Sequence, residues 1–329
     1  MPFLASSVRL LWAFCLGMAV LLWGCQPTPT PVTTPASAPV PPAVVRIGLV
    51  MKTLTNPFFV DMESGARRAA KELPIQLLVR TAAQETSIEQ QIQLVEDLIA
   101  DKVHAIVIAP GDSQRLVPAL HKAQRAGIHI VNIDNRLDDA AIQRAQMQPV
   151  PFLSVDNEAG AYKAAQYLAR HIKAPTQAAI LEGIRSADNA RQRAQGARKA
   201  FAENPHIHVV ASETANWKID EAYAVTRKIF EQHPDIKLVF ASNDIMAIGA
   251  IRYLQERGRT SVQVAGFDAL EEAIAEIAAR RLVATIDQQA AEQGYQGIHL
   301  AWRLIQKQPV SPLTVIDTRL VTAESLPKQ

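Results

Sequence analysis

Asn, Asp and Gln recur in this chain at one kind of position, just after a short apolar run, before or within the next turn. Asn56 follows Val45 to Val50, Asp134 and Asn135 follow Ile128 to Ile133, and Asp156 and Asn157 follow Phe152 to Val155. Asn243 and Asp244, Asp268, and Asp287 with Gln288 stand in the same relation to the runs ending at Ala241, Phe267 and Ile286. One carboxylate can accept from both of two vicinal hydroxyls, while Arg or an amide donates to the hydroxyl lone pairs. The C–H face of a sugar ring stacks on aromatics, and Phe58, Phe59 and Trp217 are the candidates for that contact. The set suits a neutral polyol. The same polar residues are good helix caps, and Pro57 sits where a first helical turn favours proline, so capping stays open at each of them. Phe58, Phe59 and Trp217 can equally be core.

Other chemistries lack their residues. There is no G-x-x-x-x-G-K-[ST] loop, no G-x-G-x-x-G after a strand, no G-x-S-x-G and no H-E-x-x-H. Only 14 glycines occur in 329 residues, which disfavours a phosphate-cradling loop. The eight histidines are scattered, and His206 with His208 reads as a solvated strand face. No enzyme, cofactor or metal is expected.

The elements that must position these groups alternate regularly. Apolar runs at 45–50, 75–79, 105–109 and 128–133 are separated by amphipathic stretches, in which Ile88, Ile92, Val95 and Ile99 share one helical face. After a polar interval at 134–151 a second series begins, with runs at 152–155, 178–181, 208–211, 238–241, 262–267 and 283–286, then a helix near 290–305 and a final strand over 315–321. Strand–helix alternation implies parallel sheets covered on both faces, and the length exceeds what one core serves. The expected fold class is α/β, with two similar doubly wound parallel-sheet lobes. Ligands bind such sheets at the carboxyl ends of the strands, where the polar groups fall.

Lys+Arg of 34 against Asp+Glu of 32 leaves +2 with no basic cluster, so no nucleic-acid partner is expected. Arg9 precedes an apolar stretch from Leu10 to Trp23, too short to span a bilayer comfortably. Leu22-Trp23-Gly24-Cys25 resembles a lipobox, with Trp23 departing from the usual small residue. Residues 1–24 are therefore expected to be a lipoprotein signal peptide. Residues 25–43 would be a lipidated Cys25 and a Pro-rich tether, extended as polyproline II. Once Cys15 is removed with the signal, no disulfide is available.

From Val45 onward the chain resembles the periplasmic binding proteins of sugar ABC transporters, in the ribose- and allose-binding branch. The resemblance rests on KTLTNPFFVDM at 52–62, IVNIDNRLD at 130–138, ARQRAQGA at 190–197, ASNDIMAIGA at 241–250, AGFD at 265–268 and ATIDQQ at 284–289. It implies the type I periplasmic-binding-protein fold, a monomer with three hinge crossings. The lobes would be 44–153 plus 289–311 and 154–288 plus 312–329, with crossings near Ser154, Gln288 and Ser311. It further implies capture of a monosaccharide (ribose, allose or a related sugar) for an ABC permease, outside the cytoplasm, where the lipobox at Cys25 is expected to hold the chain to the membrane by lipid. The alternative in the same fold is a sensor that presents its ligand to a kinase or chemoreceptor. Carried over by position, the ligand residues would be Lys52, Asn56, Phe58, Phe59, Asp134, Asn135, Arg193, Trp217, Asn243, Asp268 and Gln288, with Arg191 able to exchange roles with Arg193. Ribose-binding members usually carry Asp-Arg where this chain has Asp134-Asn135. That departure and Trp217 make an allose-like pyranose at least as plausible as ribose.

Overall fold

A computed structural model describes residues 44–326. Residues 1–43, where a signal peptide, a lipidated Cys25 and a tether are expected, lie outside the described residues. The chain from Val45 builds two six-stranded sheets. In the first, β1 (Val45–Met51), β2 (Ile75–Thr81), β3 (Ala105–Ile108), β4 (His129–Ile133) and β5 (Phe152–Val155) are joined by β11 (Leu313–Ile316) in the order β11-β5-β4-β3-β1-β2, all parallel. In the second, β6 (Thr176–Glu182), β7 (Ile207–Thr214), β8 (Ile236–Ala241), β9 (Gln263–Ala265), β10 (Ala284–Asp287) and β12 (Arg319–Thr322) run β12-β10-β9-β8-β6-β7, with β12 antiparallel to β10. Both lobes thus share the 2-1-3-4-5 order. Its topological switch point lies between β1 and β3 in one lobe and between β6 and β8 in the other, where a crevice opens at the strands' carboxyl ends.

Alternation along each strand sends side chains to opposite faces, and both faces are covered. Val50, Ile106, Ile108 and Ile130 pack under α2 (Ile88–Ala100), α3 (Val117–Arg125) and the short α4 (Asp139–Arg144). Ile47, Leu49, Val107, Val131 and Ile133 pack with Phe59, Met62 and Ala66 of α1 (Pro57–Glu72) and Ile298 of α10 (Ala290–Ile305). In the second lobe α5 (Asn157–Ala169) lies beside α6 (Asp188–Ala202), and α7 (Ile219–Gln232) beside α8 (Asp244–Glu256), with α9 (Glu271–Ala278) completing the cover.

The expected final strand over 315–321 is two strands in two different sheets. Leu313–Ile316 pairs with Phe152–Val155 in the first sheet, and Arg319–Thr322 pairs with β10 in the second. The third crossing is therefore at Asp317–Thr318, not near Ser311, because the apolar alternation continues through a segment that changes sheets without a Gly or Pro to mark it. The other passages fall between Val155 and Asn157 and at Gln288–Gln289.

Candidate functional site

The helix at 57–72 begins where the sequence places a cap. Asn56 is extended, and its Oδ1 accepts from Phe58 N at 3.1 Å while Pro57 takes the first helical position. Its Nδ2 donates to Glu85 Oε1 at 3.0 Å, leaving one further N–H for another acceptor. Asn56 thus serves the helix and the cleft together. Asn243 likewise caps α8 through Met246 N at 2.9 Å. Phe58 and Phe59 meet edge to face at 5.0 Å, both buried in the core and both bordering the cleft.

The cleft lies between the carboxyl ends of the two sheets. Lys52, Asn56, Phe58, Phe59, Glu85 and Asp134 border it from the first lobe, and Asn189, Arg193, Trp217, Asn243, Asp268 and Gln288 from the second side. Lys52 Nζ pairs with Asp134 Oδ2 at 2.8 Å, both fully buried, and lies 5.4 Å from the Phe59 ring centre. Arg193 stacks on Phe267 at 3.8 Å and uses four of its five N–H groups: Nε donates to Asn157 Oδ1 at 2.8 Å, Nη1 to Ser242 O at 3.0 Å and Asp268 Oδ1 at 3.4 Å, and Nη2 to Gln288 Oε1 at 3.3 Å. Gln288 Nε2 in turn donates to Asp268 Oδ1 at 2.6 Å. Arg191 is exposed and bonded to Arg185 O and Asp188, so it does not share the site.

Burial governs the titration of this cluster. It raises Asp268 well above the usual carboxylate range, against the downward pull of Arg193. Burial also raises Glu85, opposed by Lys52 and the Asn56 amide, and lowers Arg193, opposed by Asp268. Lys52 pairs with Asp134, and Arg193 meets Asp268 Oδ1 at 3.4 Å with Glu85 nearby, so each of the two cations that border the cleft already faces a carboxyl group.

The backbone here is held away from its relaxed conformations. Asp134 has φ +62°, Asp268 +128°, and Asn216 and Trp217 are consecutive left-handed residues at +48° and +66°. Such conformations cost of order 1–3 kcal/mol each and concentrate at binding sites. The Asn216–Trp217 turn is fixed by Asn216 Nδ2 donating to Glu221 Oε2 at 2.7 Å. It lays the Trp217 indole directly on Gly183, where a Cβ would come within 2.0 Å of the ring. The indole N–H is buried without a partner.

Asn135 does not line the cleft. It is fully buried, its Nδ2 donates to Pro110 O and Ser113 Oγ, and its Oδ1 accepts from Asn189 N across the lobes at 3.1 Å. Beside it Ser113 N donates to Ser186 O, and Asp188 N to Ser113 Oγ, also between lobes. The expectation of Asn135 as a ligand residue is corrected on this point: its amide lies at the seam between the lobes, with both hydrogens donated there, and is not among the groups that border the cleft.

Residues 47–309 match the model of the periplasmic binding protein domain. The D-ribose/D-allose-binding protein of Pseudomonas aeruginosa is 39% identical over 270 residues, covering 81% of this chain and 84% of that protein. The D-allose-binding periplasmic protein of Escherichia coli is 32% identical, covering 85% and 93%. A crystal structure of a periplasmic solute-binding protein from Actinobacillus succinogenes with bound D-allose superposes with a TM-score of 0.80 at 41% identity, covering 85% and 98%. The chain belongs to the periplasmic binding protein family.

Two cleft residues of this binding protein escaped the sequence reading. Glu85 stands in a polar run after β2 with no apolar flank to single it out, and Asn189 opens α6 like any helix-start residue. Asn157 and Asp244 belong to the recurring polar set but stand behind the cleft. Asn157 orients Arg193, and Asp244 accepts from Thr285 Oγ1 and Leu270 N.

Proposed function

We propose that this periplasmic binding protein is the substrate-binding component of a sugar ABC importer, capturing a neutral monosaccharide between its two lobes. The observation that carries the reading is a buried set of hydroxyl-binding groups contributed by both lobes, in which each cation already faces a carboxyl group. The groups close around a cavity of about 20 Å³, room for roughly one water. Admission of a sugar ring therefore requires the lobes to part and then close over it, with Phe58, Phe59 and Trp217 against the ring and Asp134, Asp268, Arg193, Asn56, Asn243, Gln288 and Lys52 on its hydroxyls. The D-ribose and D-allose of the relatives described above are of this chemical class.

Micromolar binding needs about −8 kcal/mol, and hydrogen bonds to charged groups net about 1.5–3 kcal/mol each, so three such groups carry most of it. Arg193→Ala and Asp268→Ala are each expected to weaken binding of D-ribose or D-allose about ten-fold or more in titration calorimetry, one charged hydrogen bond in a buried site. Unchanged affinity in both variants refutes the site. The relatives are binding proteins, and the function proposed here is capture without turnover. A lipid at Cys25 would hold the folded part, as a monomer, near its permease. Cys25→Ala should then release the protein from the membrane fraction.

A further inference from the structure

We infer that Asn189 is a specificity-determining residue, which accepts a hydrogen bond from the sugar hydroxyl adjacent to the one bound by Asp134. The inference rests on the sugar-binding reading and adds to it the requirement for a free vicinal diol that is held by one lobe at each hydroxyl. Asn189 is 3% exposed and borders the cavity. Its Nδ2 lies 3.5 Å from Asp134 Oδ1, which orients the amide, since the reversed rotamer would set a carbonyl oxygen against a carboxylate. Its Oδ1 is then buried without a donor.

A helix-start Asn ordinarily uses that oxygen to cap its own helix. Here the capping position is Ala187, and no side chain caps α6. The Asn189 backbone N–H is held separately by Asn135 Oδ1, so the lobes are joined here without use of the side-chain oxygen. What remains is an acceptor in a closed polar cavity beside the Asp134 carboxylate of the opposite lobe. An unmatched buried acceptor is costly, and a ligand that brings a donor removes the cost where a deoxygenated analogue does not. Because Asp134 and Asn189 come from different lobes, neighbouring hydroxyls on one ring reach both only when the cleft is shut.

The test is calorimetry of wild type and Asn189→Ala with D-ribose, D-allose and the monodeoxy derivatives of whichever sugar binds. Removal of one particular hydroxyl is expected to weaken binding to wild type about ten-fold, while Asn189→Ala weakens the parent sugar similarly and holds that deoxy derivative within about three-fold of it. Equal deoxygenation penalties in the two proteins at every position overturn the role of Asn189 and leave the sugar site standing. Failure of wild type to bind any neutral monosaccharide overturns the functional reading, and the inference with it. Should circular dichroism show the Ala variant unfolded, Asn189→Leu, of similar volume and without an acceptor, takes its place with the same two outcomes.

Discussion

At the scale of single residues, Asp244 shows what it means to stand one layer behind a binding cleft. It is fully buried with neutral donors on both oxygens, Thr285 Oγ1 at 2.7 Å and Leu270 N at 2.9 Å. Burial pushes its carboxyl from 3.8 up to about 6 against those hydrogen bonds. The folded chain keeps a proton that the unfolded chain has released, so the stability this group contributes is full below about pH 4 and is lost as pH rises through about 6. Asp244→Asn keeps the neutral form at every pH. It is expected to raise the melting temperature more near pH 7.5 than near pH 4.5, and equal effects at both would show that Asp244 is ionised in the fold. Asp244 occurs in the sequence beside Asn243, one a capping residue that borders the cleft and the other wholly buried. Nothing in their order says which is which, because that depends on the neighbouring β9 loop.

At the scale of elements, the cleft is held by helix pairs that approach closely. A Cβ on Gly65 of α1 would lie 1.7 Å from the Ala291 carbonyl oxygen of α10, and one on Gly294 would lie 2.0 Å from the Met62 carbonyl. α10 follows directly on the crossing at Gln288, so this pairing fixes where a cleft residue leaves the second sheet. In Gly65→Ala the helical preference gains about 1 kcal/mol, while overpacking against backbone costs about 1–3 kcal/mol and prevails because a carbonyl cannot rotate away. A drop of several degrees in melting temperature is expected, and an unchanged or higher value would mean that the helices can part freely. Most elements were legible, since amphipathic period and apolar runs are local properties. The β11–β12 segment was not, because its alternation is equally compatible with either sheet and only pairing with Phe152–Val155 assigns it.

At the scale of the whole molecule, the lobes meet directly through Ser113, Asn135, Ser186, Asp188 and Asn189, beside the cleft. Asn135→Ala removes one such bond without touching the cavity. The closed form should be less populated, so D-ribose and D-allose should weaken by one common factor, roughly 2- to 10-fold for a neutral hydrogen bond, with their rank order kept. Calorimetry together with small-angle scattering of the unliganded protein checks this, and a changed rank order would return Asn135 to the ligand. By itself the sequence determined the two-lobe α/β plan and the strand ends that carry Asn56, Asp134, Asn243, Asp268 and Gln288, because periodicity and turn chemistry are written within a few residues. It also determined the aromatic pair, though not that Phe58 and Phe59 serve core and cleft at once. Only the tertiary structure decided that Asn135 joins the lobes while Asn189 and Glu85 border the cavity. Each of those roles depends on a partner between 29 and 55 residues away along the chain, met within the first lobe for Glu85 and only where the two lobes meet for Asn135 and Asn189.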